Sequence, residues 1–197
     1  KEEQAQFLED SGGVMRRVMA AATLQPQDAP TEGHSYVFGV DWGKSNDWTV
    51  ITVWDATTRE LVRLDRFNQI DYIFQRARLH AMYERWRPDC IRPEVNSIGE
   101  PIVEQLQRDG LPIVPFVTTN ATKAAAVEAL ALAFERGDIK IINDSILIGE
   151  LQAFELSRTS TGMTRYAAPE GMHDDCVMSA IMGYSAIAES GPLLLWE

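Results

Sequence analysis

From residue 35 onward the apolar positions fall into short runs, and their period changes along the chain. Tyr36 to Asp41 is an apolar run with aromatic and β-branched residues, which predicts a strand. Trp42-Gly43-Lys44-Ser45-Asn46-Asp47 reads as a turn, and Trp48 to Trp54, rich in Val, Ile and Thr, as a second strand. After the turn Asp55-Ala56-Thr57-Thr58-Arg59, the segment Glu60 to Phe67 sets Leu61, Leu64 and Phe67 among Arg63, Asp65 and Arg66. That mixture predicts a half-exposed third strand. The short turns predict an antiparallel meander.

Beyond the meander the period lengthens. Ile73, Phe74, Ala77, Ala81, Met82 and Trp86 predict a helix over 71–87, with Asp71 as N-cap and Pro88 as its stop. Asp89 to Pro93 reads as a short buried strand. Pro101 to Arg108 reads as a helix, with proline in its first turn and Gly110 beyond its end. Ile113 to Val117 is a predicted strand, Thr122 to Arg136 an Ala-rich helix stopped by Gly137, and Ile139 to Ile142 another strand. Asp144 to Leu156 is helical. Arg158 to Ala168 is a hairpin turning at Thr161-Gly162, and a last helix runs from about Asp174 to Ser190. This order predicts a three-layer α/β/α domain. Its central sheet is mixed, an antiparallel meander followed by parallel strands, with helices on both faces. Residues 1–24 read as loose helix, and Pro26, Pro30 and Gly33 mark a linker. The compact domain is expected over 35–190, with 1–34 a junction and 191–197 a tail.

The 197 residues suit one domain, and no apolar run approaches the ~20 residues of a membrane span. The polar start, Lys1 to Asp10, is not that of a signal peptide. Cys90 and Cys176 sit in apolar contexts without metal spacing and read as buried free thiols. The net charge of -11 argues against a passive DNA-binding module, which is normally basic. It is compatible with a site that gathers carboxylates, neutralises them with divalent cations and so attracts phosphate.

Three acidic positions fit such a site. Asp41 ends a buried strand, where a charge loses solvation, and Gly39 and Gly43 beside it permit close approach. Its plain alternative is a turn aspartate bonded to local N–H groups. Glu94 ends the next short strand, in Ile91-Arg92-Pro93-Glu94-Val95-Asn96-Ser97, at the kind of sheet end where ligands bind. Its alternative is an exposed loop glutamate, and Asn96 and Ser97 read as caps of the following helix. Asp174 and Asp175 precede the almost wholly apolar last helix. Capping explains one of them. Two adjacent carboxylates repel, and a cation relieves that repulsion. An all-oxygen set selects Mg²⁺ or Mn²⁺, and two such ions can act together in phosphodiester cleavage. The expectation is that Asp41 bridges two ions, with Glu94 on one side and Asp175 on the other.

The chain resembles the nuclease domain of the large terminase subunit of tailed bacteriophages, over about residues 35–188. The resemblance rests on Phe38-Gly39-Val40-Asp41-Trp42-Gly43, Pro93-Glu94-Val95-Asn96-Ser97-Ile98-Gly99-Glu100-Pro101, Thr118-Thr119-Asn120-Ala121-Thr122-Lys123 and Ala168-Pro169-Glu170-Gly171-Met172-His173-Asp174-Asp175. Gln6-Phe7-Leu8-Glu9-Asp10 is similar to the end of the packaging ATPase domain. The resemblance implies a ribonuclease H-like fold and two-metal cleavage of double-stranded DNA at the start and end of packaging. It implies catalytic roles for Asp41, Glu94 and Asp175, with Asp174 helping to hold metal. Family members often carry aspartate where this chain has Glu94. Implied partners are the ATPase domain, the small terminase subunit and the portal protein, in the host cell cytoplasm. No GxxxxGK(S/T) phosphate loop occurs, so the expectation is a C-terminal portion of the motor. Holliday-junction resolvases share the fold and acid pattern. A non-catalytic portal or capsid docking module is the alternative from another class, and it has no use for the acids.

Lys123 falls in the first turn of a helix, where a cation opposes the dipole; a phosphate or carboxylate contact is one reason, a solvated lysine the other. Arg158 and Arg165 flank the hairpin and are expected along a DNA backbone. His173 is placed as a supporting neighbour of the acids. Trp42, Trp48, Trp54 and Trp86 read as packing residues rather than base-stacking platforms.

Overall fold

The computed structural model describes residues 13–43, 47–68 and 71–190, with residue 97 by its backbone alone. The segment 6–10, the middle of the turn after Asp41 and the tail 191–197 lie outside the described residues. In chain order the elements are α1 Val18–Ala21, β1 Ala22–Leu24, β2 Tyr36–Asp41, β3 Thr49–Asp55, β4 Glu60–Phe67, α2 Tyr72–Trp86 and β5 Cys90–Pro93. There follow α3 Val95–Ile98, α4 Glu100–Arg108, α5 Asn120–Arg136, β6 Lys140–Ile142, α6 Ser145–Ala153, β7 Glu155–Arg158, β8 Thr164–Ala167 and α7 Asp175–Ser190.

The main sheet has the order β1-β6-β4-β3-β2-β5. β2, β3 and β4 form the expected antiparallel meander, with Asp41 opposite Val50 and Val50 opposite Arg66. β5 runs parallel to β2, and β6 lies parallel to both β4 and β1. β2, between β3 and the edge strand β5, finds apolar cover on both of its faces. Phe38 and Val40 meet Leu79, Met82 and Trp86 of α2 and Val103 and Leu106 of α4. On the other face Val37 joins Val50, Trp54, Val127, Leu130, Leu147 and the buried length of α7. The three-layer α/β/α arrangement with a mixed sheet is therefore observed. No helix among the described residues is long and apolar enough to cross a membrane.

α7 lies directly on β2. A Cβ at Gly39 would stand 1.9 Å from the Ser179 carbonyl oxygen, and one at Gly183 would stand 2.4 Å from Trp54. A buried polar knot fixes the crossing. The Thr52 N–H donates to Ser179 Oγ (3.1 Å), Thr52 Oγ1 donates to the Ser179 carbonyl (3.0 Å), and Ser179 Oγ donates to the Gly39 carbonyl (2.9 Å). These bonds satisfy polar groups that burial would otherwise penalise.

Three expectations are corrected. Residues 113–117 form no continuous strand, but two isolated parallel bridges, Ile91 with Ile113 and Glu94 with Phe116. Pro112 and Pro115 have no N–H to give to a ladder. The sixth helix ends at Ala153, and residues 155–156 already belong to the hairpin. The core begins well before Ser35: Met15, Val18 and Ala21 are buried in it, and β1 pairs with β6.

Candidate metal centre

β2 and β5 run side by side in the same direction, with Val40 opposite Pro93 and the Glu94 N–H donating to the Val40 carbonyl (3.3 Å). Asp41 and Glu94 therefore leave the sheet next to each other at the carboxyl ends of neighbouring strands, where α/β sheets bind ligands. Glu94 is braced, since Thr118 Oγ1 donates to Glu94 Oε1 at 2.5 Å. Asn96 does not cap a helix as expected; it lies inside α3 and its Nδ2 donates to the Thr118 carbonyl (3.1 Å). The next residues start α5 with a reciprocal cap. The Thr122 N–H donates to Thr119 Oγ1 (3.1 Å) and the Thr119 N–H to Thr122 Oγ1 (2.8 Å). Gly43 keeps the turn after Asp41 tight, because a Cβ there would stand 2.6 Å from the Asp47 carbonyl oxygen.

The third contribution comes from the start of α7. The simple capping explanation of the aspartate pair fails here, because the cap comes from another helix. Glu150 of α6 accepts the N–H groups of Cys176 (2.7 Å) and Val177 (3.3 Å) through Oε2. Asp174 turns away and accepts the Ala168 N–H (3.2 Å), tying down the return from the hairpin. Asp175 is left with a buried Oδ2 that has no hydrogen-bond partner, although His173 Nδ1 stands 3.6 Å from it. Sequence reading missed Glu150, which is 7% exposed and whose Oε1 is also buried without a hydrogen-bond partner.

The carboxylates act on one another's ionisation. Burial, then the charges of Asp175, Glu94, Asp174 and Glu150, push the Asp41 carboxyl far above the ordinary aspartate range. Burial and then Glu150 raise Asp175 to about 6, with Asp174 and Asp47 adding to the rise and His173 opposing it. Burial also raises Glu150, against the pull of the two N–H groups it caps. Among the described residues no group of three or more His, Cys, Asp or Glu side chains is placed so that, as it stands, it could hold a metal ion. The donors are carboxylate oxygens, and Asp175 Oδ2 lacks a hydrogen-bond partner; this set fits hard divalent ions.

A pH dependence follows. Asp175 holds its proton more tightly folded than unfolded, so it contributes stability below about pH 4 that is lost as pH rises through about 6. The melting temperatures of metal-free wild type and Asp175→Asn should coincide near pH 4, separate in the variant's favour between about pH 4 and 6, and keep a constant gap above that. Curves that stay parallel across this range would show that Asp175 is not under this strain.

The expected basic residues divide. Lys123 and Arg165 line one groove of about 260 Å³ with Asn120 and Tyr166, where the hairpin meets the start of α5. Arg158 does not join them on one face. Ser157 is opposite Arg165 and Arg158 opposite Thr164, so the two arginines occupy opposite faces of the ribbon. Sequence reading also passed over Arg66, whose guanidinium lies 3.6 Å from the Trp48 ring centre and whose charge lowers the Glu150 pKa. Trp42, Trp54 and Trp86 are buried packing residues, as expected.

Comparison with known proteins agrees with this geometry. Residues 38–186 match the family model described as Terminase RNaseH-like domain. The large terminase subunits of Thermus virus P23-45 and Thermus phage G20c are each 33% identical over 153 residues, 77% of this chain. The chain spans 32% of the length of each of those relatives. The large terminase nuclease of thermophilic phage G20c, solved with bound magnesium, superposes with a TM-score of 0.81 at 28% identity, covering 89% of this chain and 97% of that one. The Thermus phage P74-26 large terminase nuclease domain gives 0.78 at 28% identity, covering 88% and 94%. By sequence, sheet architecture and extent of match, this chain belongs to the terminase RNaseH-like domain family.

Proposed function

We propose that this chain is a metal-dependent endonuclease domain that hydrolyses phosphodiester bonds of double-stranded viral DNA during genome packaging. The observation that carries the reading is that β2 and β5 end side by side, placing Asp41 and Glu94 next to each other at the sheet's carboxyl edge, and the charges of Asp174 and Asp175 at the start of α7 act on Asp41 as well. Asp41, Glu94 and Asp175 would hold two Mg²⁺ or Mn²⁺ ions, with Asp174 beside them; a related nuclease solved with bound magnesium supports a divalent ion. When bound, such ions lower the pKa of water and neutralise charge developing on phosphate. The chain's own groups have separate tasks. Thr118 orients Glu94 through its hydroxyl, and Asp174 ties the hairpin return to the start of α7. Both arrangements keep the carboxylates in register for an approaching phosphate. His173 stands beside Asp175 and tempers its charge. A non-catalytic docking module has no use for carboxylates held at such electrostatic cost.

The wider setting is proposed on family grounds. The domain would act in the host cytoplasm within a longer large subunit carrying the packaging ATPase, alongside the small subunit and portal. The test is cleavage of supercoiled plasmid with Mg²⁺ or Mn²⁺, with and without chelator, by wild type and Asp41→Asn. Equal cleavage by both proteins would overturn the assignment.

Lys123 and Arg165 are proposed to contact the DNA backbone together from their groove, with Arg158 contributing less from the other face. Replacing both Lys123 and Arg165 with alanine should weaken DNA affinity and reduce the slope of log affinity against log salt by about 2. Arg158→Ala should change the slope less. An unchanged slope in the double variant would remove the groove from the DNA path.

A further inference from the structure

Glu150 lies in a helix that is otherwise apolar around it, Ile146-Leu147-Ile148-Gly149-Glu150-Leu151, and is more than nine-tenths buried. A buried carboxylate loses far more hydration than a surface one, so it persists only where its oxygens have tasks. Oε2 has one, accepting the N–H groups of Cys176 and Val177, which the first turn of α7 leaves without helical partners. A helix usually takes this cap from the residue just before it. Here that residue is Asp174, whose carboxylate is committed to the Ala168 N–H. Placing the cap on another helix bolts the first turn of α7 to α6, with Asp175 in that turn. Oε1 is left buried with no hydrogen-bond partner, and Asp175 Oδ2 is in the same condition. Two desolvated acceptors on adjoining elements form an arrangement that a cation relieves.

We infer that Glu150 is a positioning residue of the metal centre: it fixes the start of α7 so that Asp175 faces Asp41, and its buried negative charge strengthens divalent-ion binding. The inference rests on the proposed metal-dependent reading and assigns a role outside the acids already named. Groups that orient or polarise metal ligands without touching the metal typically change affinity or activity about 10–100-fold when removed.

The test measures Mn²⁺ binding by calorimetry and plasmid cleavage across a Mn²⁺ series for wild type, Glu150→Gln and Glu150→Ala. Glutamine keeps a carbonyl oxygen for the cap and loses the charge. Glu150→Gln should fold with an unchanged or higher melting temperature, bind Mn²⁺ about tenfold more weakly and regain cleavage as Mn²⁺ is raised. Glu150→Ala should lose the cap as well, melt lower and bind Mn²⁺ more weakly still. Wild-type Mn²⁺ affinity in Glu150→Gln, in a protein that binds the ion and cuts DNA, overturns this inference and leaves the nuclease reading intact. Wild type that neither binds Mn²⁺ nor cuts DNA overturns both.

Discussion

Asp41→Asn is expected to cut plasmid DNA at least about a thousandfold more slowly than wild type and, without metal, to melt at a higher temperature. The two effects share one origin. Asp41 is the carboxylate on which Asp175, Glu94, Asp174 and Glu150 all act, at the end of a strand where burial already disfavours charge. Near neutral pH its ionised form raises the free energy of the folded state, because the unfolded chain lets these carboxylates disperse into water. Asparagine removes the charge at nearly constant volume. Each kcal/mol relieved should raise the melting temperature by roughly 2–4 °C in a protein of this size. The same change takes away the proposed bridging ligand, and with it the means of neutralising the phosphate. Activity sites that carry strain commonly show this opposition between stability and function. Undiminished cleavage would remove Asp41 from the reaction. A lower melting temperature would show that its carboxylate is held by the fold rather than strained by it.

Gly39→Ala is expected to be the most damaging single methyl group in the molecule. The added carbon would stand 1.9 Å from the Ser179 carbonyl oxygen, 2.5 Å from the Gly183 nitrogen and 2.9 Å from Thr52 Oγ1. The first two are backbone atoms and cannot rotate away. α7 must therefore lift from β2 and loosen the knot of Ser179 with Thr52 and the Gly39 carbonyl. Overpacking a close-packed interior usually costs about 1–3 kcal/mol, and breaking buried hydrogen bonds adds to it. A fall in melting temperature on the order of 10 °C is expected. Displacing α7 also moves Asp175, so Mn²⁺ affinity should fall as well. Gly149→Ala is the control. Its added carbon meets nothing within 4 Å on α6, and alanine's better helix propensity should stabilise by about 0.5–1 kcal/mol. A Gly39→Ala protein that melts like wild type would refute the close crossing.

The meander, the two acid-ended strands and the buried last helix were legible because each shows its period over several residues. The Asp41 and Glu94 positions were legible for a related reason: a carboxylate at the end of an apolar run has no packing purpose. β1 was not readable, since three residues display no period, and its pairing with β6 depends on residues far along the chain. Glu150 was hidden because its partners are backbone N–H groups of another helix. The opposed faces of Arg158 and Arg165 depend on hairpin register, and a one-residue change would have reversed the relation. Arg66 looked like any outward residue of an alternating strand until its stacking on Trp48 was seen.

The interrupted pairing beyond β5 has a colloidal consequence. Val114 and Val117 are exposed along that margin, which would invite a neighbouring molecule to add a strand. Pro115, whose neighbours Val114 and Phe116 turn their N–H groups toward β5, denies such a neighbour a donor in mid-run, and the segment itself makes only isolated bridges. Crowded molecules can thus touch along this border without zipping into a shared sheet.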